Sequence, residues 1–223
     1  MPKSATSSKT SRNLTCSWTA YWREFLFWLL LVPASAALSS AKPARQLVGS
    51  IETCAFLTVA ISSAGRLKSL GLEFIAWERI SRSSILISGT IGLGSGFAVA
   101  GIAHGSGQSI GIEPSWNFVV LAIVVGPILE EVIFRGYLLT FALWLFRRSP
   151  RRISSAVSVG GVGVIFAAAH LGNVGTTVLQ FACIVATGCL YAWIRVQQHS
   201  TVGAAIAHAV YNGTLYVCQC VSV

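Results

Sequence analysis

Glu130, Glu131 and Arg135 stand in the stretch GPILEEVIFRGY, within a run from Trp116 to Phe146 that holds no other charged side chain. In surroundings that apolar, an ionised group is costly unless it is partnered. On a helix Glu131 and Arg135, at i and i+4, meet on one face and can pair, while Glu130 points about 100° away. The pair reads as structure, one ion pair that fixes a helix; it leaves Glu130 without a partner. His170 closes the segment VIFAAAH one turn after Phe166, and His208 and Asn212 again fall at i and i+4, on one face of a helix. Taken singly, each reads as a helix-end group or an interhelical hydrogen bond.

Together, two carboxylates, two histidines and an amide on three helices are the parts of a hydrolytic site. A carboxylate or imidazole takes a proton from water, and His or Asn donors hold the oxyanion that forms at an amide carbonyl. No Ser or Cys lies in a comparable setting, so the attacking group is expected to be water. Zinc is the rival, since Glu130, His170 and His208 could form an open catalytic metal site. The absence of an HExxH helix weakens it. No cofactor is otherwise expected.

The elements that must bring these residues together are membrane helices. The hydrophobic fraction of 54% and the charged fraction of 10% are not those of a soluble domain of 223 residues, and the mean hydropathy is +0.69. Sixteen Lys and Arg face seven acids, all of them Glu. The basic residues collect in short links between apolar runs, as in cytoplasmic loops, and no basic stripe alternates with aromatics, so nucleic acid is not expected as a partner. The six cysteines contain no CxxC pair, which argues against a disulfide framework or zinc knuckle.

Residues 1–24 read as a basic disordered tail, with a cleaved signal or a transit peptide as alternatives for the amino-terminal segment. Residues 25–115 hold membrane helices of unassigned role. These include apolar runs at 25–32, 47–64 (with Glu52) and 85–103, and an interfacial segment around Phe74, Ile75 and Trp77. Glycines at 89, 92, 94, 96 and 101 mark the third run as a packing helix. Residues 116–220 hold the candidate site. The run from Trp116 to Phe146 exceeds the roughly 20 residues of a straight span, which predicts a tilt, a kink near Pro127, or a span followed by an interfacial helix. Runs at 153–170, 176–194 and 201–217 complete an all-α, polytopic transmembrane bundle of about seven spans, with six or eight also possible. Arg195 is read as the cation before a polar break at Gln197 to Ser200, on the cytoplasmic side.

EEVIFRG at 130–136, FAAAH at 166–170 and HAVYN at 208–212 resemble, in order and spacing, the three motifs of the CAAX protease and bacteriocin-processing family of intramembrane proteases. The segment from Thr187 to His208 is similar to the family's link between its last two motif helices, and the resemblance covers Trp116 to Gly213. It implies that Glu130 and His170 position and deprotonate a water. It further implies that His208 and Asn212 stabilise the oxyanion, with Glu131 and Arg135 supporting the site, in a glutamate-type mechanism without bound metal. The implied substrate is a membrane-embedded or membrane-anchored protein or peptide, cleaved in a lipid bilayer. The compact chain with short loops points to a bacterial inner membrane. A non-hydrolytic immunity or binding protein on the same fold is the alternative, and a proton-relaying transporter is a third reading.

Overall fold

A computed structural model describes residues 80–108, 121–171 and 177–221, with the single positions 22, 26, 76 and 119. The chain divides into two compact units, Met1–Leu72 and Glu73–Val223. Of the first, Trp22 and Leu26 are described, both helical and exposed. The basic tail, the first two apolar runs with Glu52, and Phe74, Ile75 and Trp77 lie outside the described residues. Everything below concerns the second unit, in which the described residues form helices and no strand.

Helix α1, Arg82–Gly105, begins at Ser81, whose hydroxyl accepts the Ser84 N–H at 3.1 Å. Its buried positions are Ser88, Gly92, Gly96 and Ala100. Residues four apart share one face, so this stripe of small side chains lets a second backbone come close. That backbone is α6, Thr201–Val221, and the pairing of α1 with α6 is the most extensive in the unit. A Cβ on Gly92 would run into the Ala207 carbonyl, and one on Gly96 into Thr214. The contacts climb both helices in the same order, so α1 and α6 run parallel.

Gly92→Leu is therefore expected to cost about 1–3 kcal/mol through overpacking against backbone that cannot retreat. Gly94→Leu, on a face with nothing within 4 Å, is expected to cost little. Thermal unfolding of the two variants in one detergent checks the difference.

The run expected from Trp116 to Phe146 is described from Leu121 as a helix whose hydrogen bonding changes three times. A π segment at Leu121–Val125 leads into α2, Gly126–Glu131; a second π segment, Val132–Leu138, leads into α3, Leu139–Leu145. In the second π segment the Leu139 N–H bonds the Phe134 carbonyl, five residues back. Such wider turns shift side chains around the helix and recur at functional sites. Helices α4, Arg151–Ala169, and α5, Val178–Gln198, follow. Eight residues link α4 to α5, too few to run back along either helix, so the two are antiparallel. Gly163 and Gly188 lie at their crossing, where a Cβ on Gly163 would strike Cys189.

The Thr177 hydroxyl donates to Gln108 Oε1 at 3.0 Å, beyond the end of α1, and Ser88 near its start donates to Gln198 at 3.3 Å. Helix α5 thus runs against α1. The start of α1, the Arg147–Arg152 link, the end of α5 and the start of α6 share one end of the bundle, as alternation of basic and uncharged links requires.

One expectation changes. Arg195 is not a loop cation: α5 continues to Gln198, and the Arg195 side chain is buried within it. His199 then turns the chain at φ 53°, which contracts the polar break to His199 and Ser200. The helices long and apolar enough to cross a membrane are α1, α4 and α5, three among the described residues. About seven spans is therefore more than these residues carry. The long fourth run is interrupted by π turns, α6 is diluted by His208, Asn212, Thr214 and Gln219, and two of the seven runs lie outside the described residues.

Candidate active site

Helices α2, α4 and α6 deliver Glu130, Glu131, His170 and His208 to one place, the second π segment adds Arg135, and Asn212 reaches the Ala122 carbonyl instead. Glu131 and Arg135 are fully buried, and Arg135 Nη1 donates to Glu131 Oε1 at 2.9 Å. The expected pair is present, and it does more than tie i to i+4. Arg135 Nη2 donates to the Gly188 carbonyl on α5 at 2.9 Å, and the guanidinium lies 4.3 Å from the centre of the Phe166 ring on α4. Arg135 therefore holds three helices at once, with the planar fork that only a guanidinium supplies.

Glu131 Oε1 also meets His208 Nδ1 at 2.9 Å. A carboxylate oxygen already accepting from arginine accepts here too, so Nδ1 carries the hydrogen and Nε2 is the other face of the ring. His170 is fixed in the same way. It caps α4, whose last carbonyls lack helical partners, and its Nδ1 donates to the Phe166 carbonyl at 2.8 Å. Its Nε2 faces away from that bond.

Both Nε2 atoms lie near Glu130. Glu130 Oε2 is 3.7 Å from His170 Nε2 and 3.9 Å from His208 Nε2. Neither distance is a direct hydrogen bond; both are separations that one water can bridge. The side chains of Glu130 and His170 remain 35% and 27% accessible, against 7% for His208 and none for Glu131. The cluster is thus open on the Glu130 and His170 side and closed on the Glu131 side. Glu130, which the ion pair left without a partner, acquires two across helices.

Residues 112–214 match the family model described as Type II CAAX prenyl endopeptidase Rce1-like. Over these residues the chain is similar to the CAAX protease family. The match spans all three motifs and covers the expected segment from Trp116 to Gly213. No curated protein and no solved structure matches the chain.

Asn212 is the residue whose placement adds most to its expected role. Pro127 has no N–H, so it can donate neither to Ile123, four residues back, nor to Ala122, five residues back in the π register. The Asn212 side chain reaches across from α6 and donates Nδ2–H to the Ala122 carbonyl at 2.6 Å. It thereby supports the turn that precedes Glu130. Asn212→Leu is expected to leave that carbonyl unsatisfied at a cost of about 1–3 kcal/mol, and to speed hydrogen exchange of amides at 121–131. Exchange mass spectrometry of the full chain in detergent checks it.

Among the described residues, no group of three His, Cys, Asp or Glu side chains is arranged to hold a metal ion. Sequence reasoning also missed parts of the site. Gly188 contributes only a carbonyl, which leaves no trace in side-chain chemistry. Phe166 was noted for its spacing but not as the ring that packs against both His170 and Arg135, at 4.6 and 4.3 Å. Tyr191, stacked on His208, carried no polar signal within an apolar run.

Proposed function

We propose that the chain is an intramembrane endopeptidase that hydrolyses a peptide bond of a membrane-associated protein or peptide, with Glu130 and His170 activating water. The observation that carries this reading is the approach of His170 Nε2 and His208 Nε2 to the single oxygen Glu130 Oε2. With both imidazoles neutral and protonated on Nδ1, these three atoms are all acceptors. Water satisfies such a set because it donates twice.

In the proposed reaction, water gives one proton to Glu130 while its oxygen adds to the scissile carbonyl carbon. His170 Nε2 orients the second O–H. His208 Nε2 takes up the proton from Glu130 and donates it in a hydrogen bond to the oxyanion until the leaving nitrogen receives it; meanwhile the imidazolium is stabilised by Glu131, itself held by Arg135. Asn212 has two amide hydrogens; one is committed to Ala122, and the other serves the oxyanion. The proton taken by Glu130 passes to the leaving nitrogen as the C–N bond breaks, and the carbonyl carbon keeps the water oxygen as a new carboxyl group. Every step runs through side chains, and none is routed through a metal. A bacterial inner membrane, with a peptide precursor or an anchored protein as substrate, suits a compact chain with short loops.

The test compares membranes carrying the wild-type chain with membranes carrying His170→Ala at matched protein levels. An uncleaved precursor should accumulate in the variant, and the purified wild-type chain should cleave that precursor in vesicles. Identical membrane proteomes and no cleavage would reject the endopeptidase reading. Loss of cleavage with chelator, restored by zinc, would reject the metal-free mechanism alone.

A further inference from the structure

Tyr191 belongs to α5 and is buried. Its ring lies against the His208 imidazole with centroids 4.9 Å apart and planes 22° from parallel. The Arg135 guanidinium carbon is 5.4 Å from the same ring, and Tyr211 meets it edge-on at 6.2 Å. Ala204 and Ala207 on α6 belong to the same buried cluster; their small side chains let the ring lie close to that helix. The Tyr191 hydroxyl is buried and has no hydrogen-bond partner among the described residues. A buried phenol usually finds one.

An imidazole held by a single hydrogen bond at Nδ1 can still swing about the line to its acceptor. That motion leaves Nδ1 bonded to Glu131 while Nε2 leaves Glu130. A second constraint on the ring plane is required, and a stacked aromatic face supplies one. The same face favours the protonated imidazole, because the ring quadrupole attracts a cation above it.

We propose that Tyr191 is a positioning residue that fixes the plane of the His208 ring, acting through its aromatic face and not through its hydroxyl. The hydroxyl is then a remnant without function in the site, and replacing it removes an unsatisfied polar group instead of a contact. For catalysis, this role rests on the endopeptidase reading; for the geometry of His208 it does not.

The experiment uses the full chain in detergent, labelled with nitrogen isotope in its histidine rings, with His208 assigned by difference from a His208→Asn chain. Tyr191→Phe should keep the wild-type His208 signal, with the hydrogen on Nδ1. Tyr191→Met, which fills similar space without a face to stack on, should keep the hydrogen on Nδ1, bonded to Glu131, but shift and broaden the His208 Nε2 signal as that nitrogen leaves its place beside Glu130. In the cleavage assay on the accumulated precursor, Tyr191→Met should lower kcat on the order of a hundredfold, as a misplaced catalytic group does, with KM within about twofold. Tyr191→Phe should restore the rate.

Three results would overturn the proposal: an unaltered His208 signal in a folded Tyr191→Met chain, loss of the Nδ1 tautomer in Tyr191→Phe, or loss of cleavage in Tyr191→Phe. The last would assign the hydroxyl to the substrate. If Tyr191→Met does not fold, the Tyr191→Phe spectrum decides between ring and hydroxyl. If the wild-type chain cleaves nothing, the endopeptidase reading fails while the His208 spectra still decide the role of Tyr191.

Discussion

Glu130→Gln is expected to abolish cleavage, with a fall in kcat of about 10²–10⁴-fold, while the chain stays in the membrane and unfolds at the wild-type temperature. The magnitude is that of losing a positioned general base. The substitution is nearly isosteric, and Glu130 Oε2 makes no hydrogen bond that stability depends on: the nearest partners are His170 Nε2 at 3.7 Å and His208 Nε2 at 3.9 Å. An amide also reverses the logic of the cluster. Its NH₂ group would donate directly to a neutral imidazole, filling with a fixed hydrogen bond the place proposed for water, and it could not accept a proton. A single-turnover assay on the accumulated precursor, with thermal unfolding of the same preparation, measures both halves. Wild-type cleavage by Glu130→Gln would remove Glu130 from the mechanism and return it to the status of a half-exposed surface group.

Arg135→Leu has the opposite profile: the fold fails first. Removing one member of a buried, hydrogen-bonded ion pair typically costs about 3–5 kcal/mol, because the remaining charge is stranded. Here Glu131 would be stranded at full burial, with His208 Nδ1 its remaining partner among the described residues. The Gly188 carbonyl would lose its Nη2 donor as well. The variant is expected to be degraded in cells and to unfold at markedly lower temperature in detergent. Arg135→Lys separates charge from geometry. A single ammonium cannot serve Glu131 and Gly188 together in the planar fork of a guanidinium, so this variant should fold with an intermediate loss of about 1–3 kcal/mol. Combining Arg135→Leu with Glu131→Leu should recover part of the loss, since a buried pair can be replaced by apolar groups at little cost. Strict additivity of the two single losses would show that the pair is not coupled.

The contrast between these variants follows from burial alone. Glu130 and Glu131 are neighbours in sequence with the same side chain, yet one is 35% accessible and the other is sealed. The accessible side chain stands beside His170 Nε2 and His208 Nε2, the place proposed for water. The sealed one is placed to hold His208 and Arg135.

Much of this was legible in the chain. Periodicity and hydropathy placed the helices at 85–103, 153–170, 176–194 and 201–217 close to α1, α4, α5 and α6, because a side chain that must face lipid or a small-residue groove leaves a pattern every three or four positions. The i, i+4 spacing of Glu131 and Arg135 sufficed for their ion pair, since that contact is local. The scarcity of polar residues in the apolar runs singled out Glu130, His170, His208 and Asn212, because each must have a reason to be there.

What the sequence could not decide was non-local. Whether Glu130 meets a histidine depends on α4 and α6 crossing α2 at one level, and that depends on close approaches at Gly92 and at Gly163 with Gly188. The π turns around Pro127 and the bond from Asn212 to Ala122 appear only once a side chain from another helix can supply the donor that proline lacks. Arg195 looked like a loop cation because charge near a helix end is ambiguous until neighbouring helices bury it. The sequence by itself determined which residues are chemically able to act and which helices carry them; only the tertiary structure decided which of two adjacent glutamates is open and which is sealed. The reason is that burial is a property of the packing between helices, and sequence spacing fixes directions within one helix only.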